Sequence, residues 1–519
     1  MVMKIEEKIA ELRKREKISL AGGGEARIAE QTKAGKLYAR ERIARLLDPD
    51  SFAELFMFAE HQCHDFGMEQ KKFPGDGVVT GHGLIAGRRV FVYAHDATVL
   101  GGSVGPVGGQ KIVKTMAMSR EMGVPLICLV DSAGARIQEG MENVKGYSAI
   151  FFEHVVSSGV VPQISAIMGN CSGGAAYSPA LTDFVFQVDQ TSRMFLTGPE
   201  VIRKVMGEQV TFENLGGARV HTERSGVAHF FCKSDEHCLE QIRHLLEFLP
   251  QNNREKPPFK DLGDDPQRRV PALEKIIPAE TQKSYDVKDV IDEIVDRGDF
   301  FEVHERFARN IVVGFSRMAG RVVGVVANQP KFLAGTMDID ASDKGARFIR
   351  FCDSFNIPLV TLVDIPGYLP GTHQEYRGII RHGAKMLYAY SESTVPKVAL
   401  VLRKDYGGGI SAMCPKEMGM DQMFVLPTAE IAILGAEPAV EILYRKEIAS
   451  AKEPEKLRQE KIREYRETFC TPYHSASKQL VDAVVEPAAA RVKIIDALLM
   501  LETKNPVSRA WRKHGNIPL

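Results

Sequence analysis

The sequence predicts an α/β protein of two similar domains, each built on a largely parallel sheet with helices on both faces. Two observations favour this fold class. The chain carries an internal repeat, and in each copy continuous Val/Ile/Leu runs alternate with helix-like segments. Such apolar runs are typical of strands buried on both faces of a sheet. The length of 519 residues also exceeds what one hydrophobic core usually serves.

The repeat is clearest in two strand-like segments followed by a loop. Val124–Arg136 reads VPLICLVDSAGAR and Ile357–Leu369 reads IPLVTLVDIPGYL, an offset of 233 residues. Further blocks keep the same order, ending with Thr191–Glu200 against Thr428–Glu437 at an offset of 237. Short apolar runs that match by chance would not keep order and spacing, so we interpret the chain as a duplicated domain.

The elements follow in the same order in both copies. Charged helices are predicted up to about residue 50, with a break at Gly22–Arg27. Each copy then opens with two strands turned at Ala-Gly, followed by alternating helices and buried strands. A segment rich in Pro and charge separates the copies. We predict an N-terminal domain over 1–255, a linker over 256–285 and a C-terminal domain over 286–519.

Composition excludes several classes of function. Lys plus Arg and Asp plus Glu both total 67, so net charge indicates neither a nucleic-acid partner nor an acidic membrane surface. No apolar run is long enough to span a membrane, and the charged N-terminal segment is typical of an amphipathic helix rather than a signal peptide. The eight cysteines have no recurrent spacing, which favours a reducing, cytoplasmic location.

Two groups of His and Cys residues are candidates for a metal site. They are His229, Cys232, His237 and Cys238, and Cys63 with its neighbours His61 and His64. Neither group has the spacing of a zinc ribbon, so we interpret them as packing and surface residues and predict no metal.

Each copy places a glycine pair between a buried strand and a probable helix. The pairs are Gly173–Gly174, within GNCSGGAAYSPA, and Gly408–Gly409, within KDYGGGISAM. N–H groups exposed at such a turn are suited to stabilise developing negative charge, as in an oxyanion hole. A tight turn that needs glycine only for its geometry is the alternative. The occurrence of both pairs at similar positions of a repeat favours two oxyanion holes.

Signature catalytic motifs are absent from the sequence. There is no GxSxG, no Walker A motif, no HExxH and no GxGxxG behind a first strand. The sequence therefore predicts a site that stabilises two oxyanions, with the base supplied by something other than a signature side chain.

Several longer segments carry a specific resemblance. They are DSAGARIQEG from Asp131, SGVVPQISAIMGNCSGGAAYSPALTDF from Ser158, LGGARVHTERSGVAH from Leu215, DIPGYLPGTHQEYRGIIRHGAKMLYAYSESTVPK from Asp364 and WRKHGNIPL from Trp511. From KLYARERIARLLD at Lys36 to its end, the chain resembles carboxyltransferase β subunits of biotin-dependent acyl-CoA carboxylases of the propionyl-CoA type. Methylmalonyl-CoA decarboxylase α subunits and the acyl-CoA component of transcarboxylase are similar. The resemblance implies tandem crotonase-like domains.

The resemblance also implies how the two halves divide the reaction. The N-terminal domain of one protomer would hold acyl-CoA, while the C-terminal domain of a partner protomer presents carboxybiotin from a carrier protein. Gly173 and Gly174 would hold the thioester enolate oxygen, and Gly408 and Gly409 the ureido oxygen of biotin. The cofactor would act as its own base, which accounts for the missing catalytic side chain.

The segment after the first repeated strand would line the CoA cleft. By position its residues are Ser132, Ala133, Gly134, Ala135 and Arg136. Arg136 is a candidate for steering a CoA phosphate, and a structural salt bridge is an equal alternative.

Other positions depart from the family pattern. Ala97 replaces a Phe, Gly108 stands where His is common, and Ile410–Ser411 replace Tyr-Asp. Because these segments should border the acyl or biotin pocket, we include them among the substrate-binding residues. Three of the changes remove side-chain volume, so we hypothesise an acyl group other than acetyl or propionyl, and a bulkier one; neutral drift with compensating changes is the alternative.

The resemblance also implies that this chain works with partner proteins. The chain has neither an ATP-binding motif nor a Met-Lys-Met biotinylation site. We therefore expect a biotin carboxylase and a biotin carboxyl carrier subunit or domain, and a homohexamer made of two stacked trimers. Two alternatives stay open: the reverse transfer, in a sodium-pumping decarboxylase or a transcarboxylase, and a non-catalytic scaffold that binds acyl-CoA or a biotinyl domain.

Overall fold

A computed structural model describes residues 4–504 and 513–519. It divides into two compact units, Met1–Glu255 and Lys256–Leu519. The segment WRKHGNIPL carries part of the resemblance described above. Its first two residues, Trp511 and Arg512, lie outside the described residues.

The first unit is built on one eight-stranded sheet in the order β1-β2-β3-β4-β5-β6-β8, with β7 paired to β5. The pairs β1–β2 and β2–β3 are antiparallel and the other pairs are parallel. The strands are β1 Ala53–Leu55, β2 Val78–Ile85, β3 Arg88–His95, β4 Leu126–Ser132, β5 Gln163–Ser172, β6 Phe184–Val188, β7 Arg193–Phe195 and β8 Phe230–Cys232.

Helices precede and cover this sheet. They are α1 Ile5–Leu20, α2 Glu25–Lys33, α3 Ala39–Leu46, α4 Pro106–Met122, α5 Glu142–Ser157, α6 Gly174–Ala180, α7 Pro199–Met206, α8 Phe212–Gly216, α9 Ala218–Glu223 and α10 Asp235–Leu246. The break predicted at Gly22–Arg27 is real but shorter, because α2 already begins at Glu25.

The second unit repeats the architecture, with the order β16-β14-β13-β12-β11-β10-β9 and β15 paired to β13. Its strands are β9 Phe300–Val303, β10 Ile311–Met318, β11 Arg321–Asn328, β12 Leu359–Ile365, β13 Lys397–Tyr406, β14 Gln422–Val425, β15 Glu430–Ala432 and β16 Ala483–Val484. Its helices are α11 Leu273–Ile276, α12 Val287–Ile294, α13 Ile339–Ser354, α14 Thr372–Tyr376, α15 Ile379–Glu392, α16 Gly408–Ala412, α17 Ala436–Leu443, α18 Arg445–Ser450, α19 Pro454–Tyr465, α20 Pro472–Ser477 and α21 Ala490–Met500.

The predicted Ala-Gly turns form the hairpins β2–β3 and β10–β11. Ala86 and Gly87 have φ of +49° and +76°, and Ala319 and Gly320 have φ of +50° and +74°. Positive φ at both central residues matches the right-handed twist of a two-residue hairpin. The prediction of a strand pair at the start of each copy is confirmed in both units.

The segment 256–285 is not a free linker. Val270, Leu273 and Ile277 are buried in the same hydrophobic cluster as Val398 and Leu400 of β13. The segment was predicted as a linker because it is rich in Pro and charged residues, and these three apolar residues were overlooked. The segment is therefore part of the second unit, where it covers one face of the sheet.

None of the described helices has the length and apolarity needed to cross a membrane.

Two glycine turns as the candidate active site

Each unit turns sharply at one glycine between its longest parallel strand and a short helix. Gly173 follows β5 with φ +60° and ψ −128°, and Gly407 follows β13 with φ +54° and ψ −129°. This backbone region is open only to glycine. The structural counterpart of Gly173 is therefore Gly407, so the predicted equivalence of Gly173–Gly174 with Gly408–Gly409 was wrong by one residue.

The backbone hydrogen bonds decide which N–H groups are free. The Gly173 N–H donates to the Phe195 carbonyl at 3.1 Å, and the Gly407 N–H donates to the Ala432 carbonyl at 3.0 Å. Both amides therefore extend the pairing of their strands and are not available to a ligand. The predicted oxyanion role of Gly173 needs correction for this reason.

The next two N–H groups begin a helix in each unit. Those of Gly174 and Ala175 begin α6, and those of Gly408 and Gly409 begin α16. Since the first N–H groups of a helix have no intrahelical acceptor, and no other acceptor lies within reach among residues 4–504 and 513–519, these four are free. The pair Gly408–Gly409 therefore stays a predicted oxyanion hole, and its structural counterpart is Gly174–Ala175.

An aromatic ring lies against the first free glycine of each helix. A methyl group added at Gly174 would lie 3.5 Å from the Tyr147 ring, and one at Gly408 would lie 3.4 Å from the Tyr368 ring. Tyr147 belongs to α5, whereas Tyr368 lies in the loop after β12. The two units thus use different elements to support the same turn.

The loop after β4 lies beside the first turn. The Ser172 hydroxyl donates to the Ala133 carbonyl at 3.2 Å, and the Gly134 N–H donates to the Ser132 hydroxyl at 3.1 Å. Ser132 and Gly134 are buried, while Ala133 and Ala135 are exposed. Ala133 and Ala135 are therefore the members of this predicted cleft segment that can touch a ligand with their side chains.

Arg136 has a structural role in this arrangement. It is only 1% exposed, and its guanidinium binds Asp76 at 2.5 Å, Glu139 at 2.9 Å and the Ser103 carbonyl at 2.8 Å. With its charge neutralised and its donors occupied, Arg136 cannot steer a phosphate. The salt-bridge alternative for this residue is confirmed.

The repeated aspartates at the ends of β4 and β12 anchor the adjoining strands. Asp131 binds Lys36 at 2.6 Å and Arg42 at 3.2 Å, and Asp364 binds Arg403 at 3.1 Å. Their other oxygen accepts the N–H of Asn170 and of Lys404, respectively. These bonds lie where the strand register shifts, just before each turn.

The departures from the family pattern lie in different surroundings. Gly108 is buried in α4, and its N–H donates to Asp76 at 2.9 Å. A methyl group there would lie 3.3 Å from Val78 and 3.4 Å from Asp76. The α-carbon of Gly108 therefore faces packed groups rather than open space, and its place in the substrate site stays a prediction. Ala97 is half-buried in the loop after β3.

Ile410 and Ser411 are half-buried in α16, one and two residues beyond the free amides. The Ile410 N–H donates to the Gly407 carbonyl at 3.2 Å, which closes the first turn of this helix. These two side chains are therefore placed close to whatever the amides bind.

The groups beneath the first turn are kept neutral by burial. A cavity of about 10 Å³ lies behind Ala175, lined in part by Tyr93, His95 and Ser178. Burial lowers the pKa of His95 to about 4 and raises the pKa of the Cys171 thiol. Near pH 7 both groups are therefore uncharged, and neither is suited to act as a general base.

The second turn has a carboxyl group, that of Asp405, where the first turn has the Cys171 thiol. Asp405 is 1% exposed, and its Oδ1 has no hydrogen-bond partner in the described part of the chain. Burial raises the pKa of Asp405 to about 7. Sequence reasoning missed this residue, because Asp405 follows Arg403 and Lys404 and looks like one more charged residue at the end of the strand.

The cysteine and histidine groups do not form a metal site. In the ranges 4–504 and 513–519 no cluster of three or more His, Cys, Asp or Glu side chains is arranged to hold an ion. Cys232 and Cys238 are both fully buried, at the end of β8 and in α10. Hydrogen bonds from Cys238 and His237 outweigh burial and lower the pKa of Cys232 to about 7.

Comparison with known proteins decides the family. The carboxyl transferase domain matches residues 30–517. The chain belongs to the carboxyl transferase family. A propionyl-CoA carboxylase carboxyltransferase subunit from Haloferax mediterranei is 56% identical, with 100% of each chain covered. The methylmalonyl-CoA decarboxylase α subunit from Veillonella parvula is 51% identical, with 99% of each covered.

A solved structure matches both units of this carboxyltransferase. Transcarboxylase 12S, with methylmalonyl-CoA bound, superposes with a TM-score of 0.97 at 50% identity, covering 100% of this chain and 99% of its own. The expected tandem crotonase-like fold is thereby confirmed. The protein is an acyl-CoA carboxyltransferase of the propionyl-CoA carboxylase or methylmalonyl-CoA decarboxylase type.

Proposed function

We propose that this carboxyltransferase moves a carboxyl group between carboxybiotin on a separate carrier protein and the α-carbon of propionyl-CoA, with methylmalonyl-CoA as the carboxylated partner. The observation that carries the proposal is the duplicated turn, which gives each unit two free N–H groups at a helix start. A transfer between two carbonyl compounds needs two such sites, because negative charge develops on a different oxygen in each half of the reaction.

The first amide pair is proposed to hold the thioester oxygen. The N–H groups of Gly174 and Ala175 would donate to that oxygen as the acyl α-carbon becomes an enolate. The exposed Ala133 and Ala135 lie at the edge of the same turn and leave room for the pantetheine arm. Neutral His95 and Cys171 add no opposing charge.

The second amide pair is proposed to hold the ureido oxygen of biotin. Two N–H donors, Gly408 and Gly409, suit a carbonyl oxygen that gains negative charge. Biotin, when bound, would carry the carboxyl group and supply the base. The ring of Tyr368 and the half-buried Ile410 are the side chains placed to flank it.

A three-carbon acyl group is favoured over the bulkier group hypothesised from the sequence. One of the residues that suggested extra volume, Gly108, is packed against Asp76 and Val78 and opens no space. The relatives named for propionyl-CoA and methylmalonyl-CoA are 49–56% identical over nearly the whole chain. Ala97 and Ser411 remain as positions that could widen the choice.

Both units expose apolar side chains that a monomer would leave in water. In the first unit they include Phe152 (64%), Val205 (73%) and Met206 (74%), and in the second Tyr376 (87%) and Ile433 (82%). Exposed apolar surface of this kind marks protein interfaces. Transcarboxylase 12S assembles as a hexamer. We propose that this chain forms a homohexamer too, made of two stacked trimers, and that it works with a biotin carboxylase and a biotin carboxyl carrier subunit or domain.

The experiment that tests this function is carboxyl transfer from carboxyl-labelled methylmalonyl-CoA to free biotin by the purified chain, with native mass spectrometry of the same sample. We expect label in biotin and a mass of six chains. A protein that binds both compounds without moving label would be a scaffold. The direction used in cells follows from the companion subunits, since the chemistry at this chain is reversible.

A further inference from the structure

Asp405 and Cys171 occupy the same position in the two units. Cys171 pairs with Ser132 of β4 and Met194 of β7, and Asp405 pairs with Ile365 of β12 and Ile431 of β15. Each lies two residues before its turn glycine. The duplication therefore places a thiol beneath one turn and a carboxyl group beneath the other.

The thiol shows which way this position faces. Cys171 Sγ donates to the carbonyl of Ala175 at 3.3 Å, so its side chain points at the first turn of α6. Gly409 is the counterpart of Ala175, and a methyl group added to it would lie 2.9 Å from Ile365, the strand partner of Asp405. The Asp405 carboxyl therefore lies under the first turn of α16, which carries the free amides.

Other charges near Asp405 are already paired. On β12, Asp364 is bound by Arg403 and Lys404; on β15, Glu430 accepts from Tyr406 at 2.5 Å and binds Arg466 at 3.2 Å. Helix α16 carries no titratable side chain. On α15, which packs against α16, Lys385 and His382 bind Asp343, and Arg381 donates to the Leu519 carbonyl. The Tyr368 hydroxyl, from the loop after β12, donates to the Gly383 carbonyl at 3.4 Å. No cation is therefore placed to neutralise an Asp405 carboxylate, in the part of the chain that is described.

We propose that Asp405 is a positioning residue of the biotin side, which must hold its proton for the Gly408–Gly409 amides to stabilise an anionic oxygen. The proposal rests on the proposed function, since it takes the ureido oxygen as the ligand of this pair. An ionised carboxylate under the helix start opposes a second negative charge at the same amides. Because burial raises its pKa to about 7, Asp405 ionises within the working range of pH.

The test compares wild type with D405N in carboxyl transfer from methylmalonyl-CoA to free biotin between about pH 6 and pH 8.5. We expect kcat/KM for biotin to be similar at the acid end and about tenfold higher in D405N at the alkaline end. KM for methylmalonyl-CoA should be the same in both proteins at each pH. D292N is the matched control, since it makes the same change at an exposed aspartate of α12 and should leave the ratio at one.

Parallel pH profiles of wild type and D405N would overturn the proposal while leaving the proposed function intact. Absence of label transfer by wild type at every pH would instead overturn the proposed function. D405C is the second variant, because the first unit folds with cysteine at this position. If neither D405N nor D405C folds while D292N does, the carboxyl group is needed for the fold, and the positioning role is wrong.

Discussion

The first turn, at Gly173, lies above a thiol and a neutral imidazole, whereas the second, at Gly407, lies above a buried carboxyl group. Backbone geometry is nearly the same in both, with φ and ψ within a few degrees. Duplication thus preserved the arrangement of free N–H groups and changed what surrounds it. The positions of the free N–H groups are therefore set by the strand-to-helix turn, while their electrostatic environment is set separately by the residue two positions before the turn glycine.

The largest expected effect concerns the ion pairs that support the turns. R136M would leave Asp76 buried without its cation, which should cost about 3–5 kcal/mol of stability. R403M should do the same for Asp364 in the second unit. Thermal unfolding of both variants measures this. A normal melting temperature for R136M, with a raised KM for acyl-CoA, would instead show that Arg136 binds the CoA phosphates.

Substitution of the turn glycines should come next in size. G173V and G407V place a β-branched residue at φ near +60° with ψ near −130°, where side chains clash with the backbone. Each turn should distort, and carboxyl transfer should fall about a hundredfold. G174A and G408A are the controls, because their added methyl groups meet aromatic rings at 3.4–3.5 Å, close to ordinary contact. Equal losses in all four variants would show that the positive-φ turn is not special.

The sequence alone predicted most of the fold but only part of the candidate site. Apolar runs and the repeat were enough to predict the two α/β units, the hairpins and the glycine turns. The equivalence of the turn glycines was predicted wrongly because either pair within the three consecutive glycines Gly407 to Gly409 can be aligned with Gly173–Gly174. The backbone angles of each turn glycine, together with its hydrogen bond, identify its counterpart. The choice between the two roles of Arg136 stayed open, and Asp405 was missed, for a related reason: pairing and burial depend on residues distant in the sequence.

The buried carboxyl group of Asp405 should also make the stability of the second unit depend on pH. The folded-state pKa of Asp405, about 7, lies above its ordinary value of 3.8, so ionisation is disfavoured in the folded state. Wild-type stability should therefore fall as pH rises from about 4 to 7 and then level off. D405N has no group that ionises here, so its stability does not fall in this way. The difference in free energy of unfolding between D405N and wild type should therefore grow by about 3 kcal/mol between about pH 5 and pH 8. Denaturant unfolding at the two pH values measures it, and a constant difference would contradict the shift.

The smallest expected effect comes from moving the acid to the other half. C171D places a carboxyl group beneath the first amide pair, close to the neutral His95 and the small cavity. Near and above pH 7, kcat/KM for acyl-CoA should fall about tenfold relative to wild type. C171S is the control, since it keeps a neutral donor for the Ala175 carbonyl. If C171S and C171D behave alike, charge at this position has no influence on the amides.

According to the proposed function, the two turns hold different partners, acyl-CoA at the first and biotin at the second. Calorimetric titration of propionyl-CoA into wild type, G173V and G407V tests it most directly. We predict that G173V weakens binding at least about tenfold while G407V binds as wild type does. The opposite pattern, or equal weakening in both variants, would contradict the division of work between the two halves.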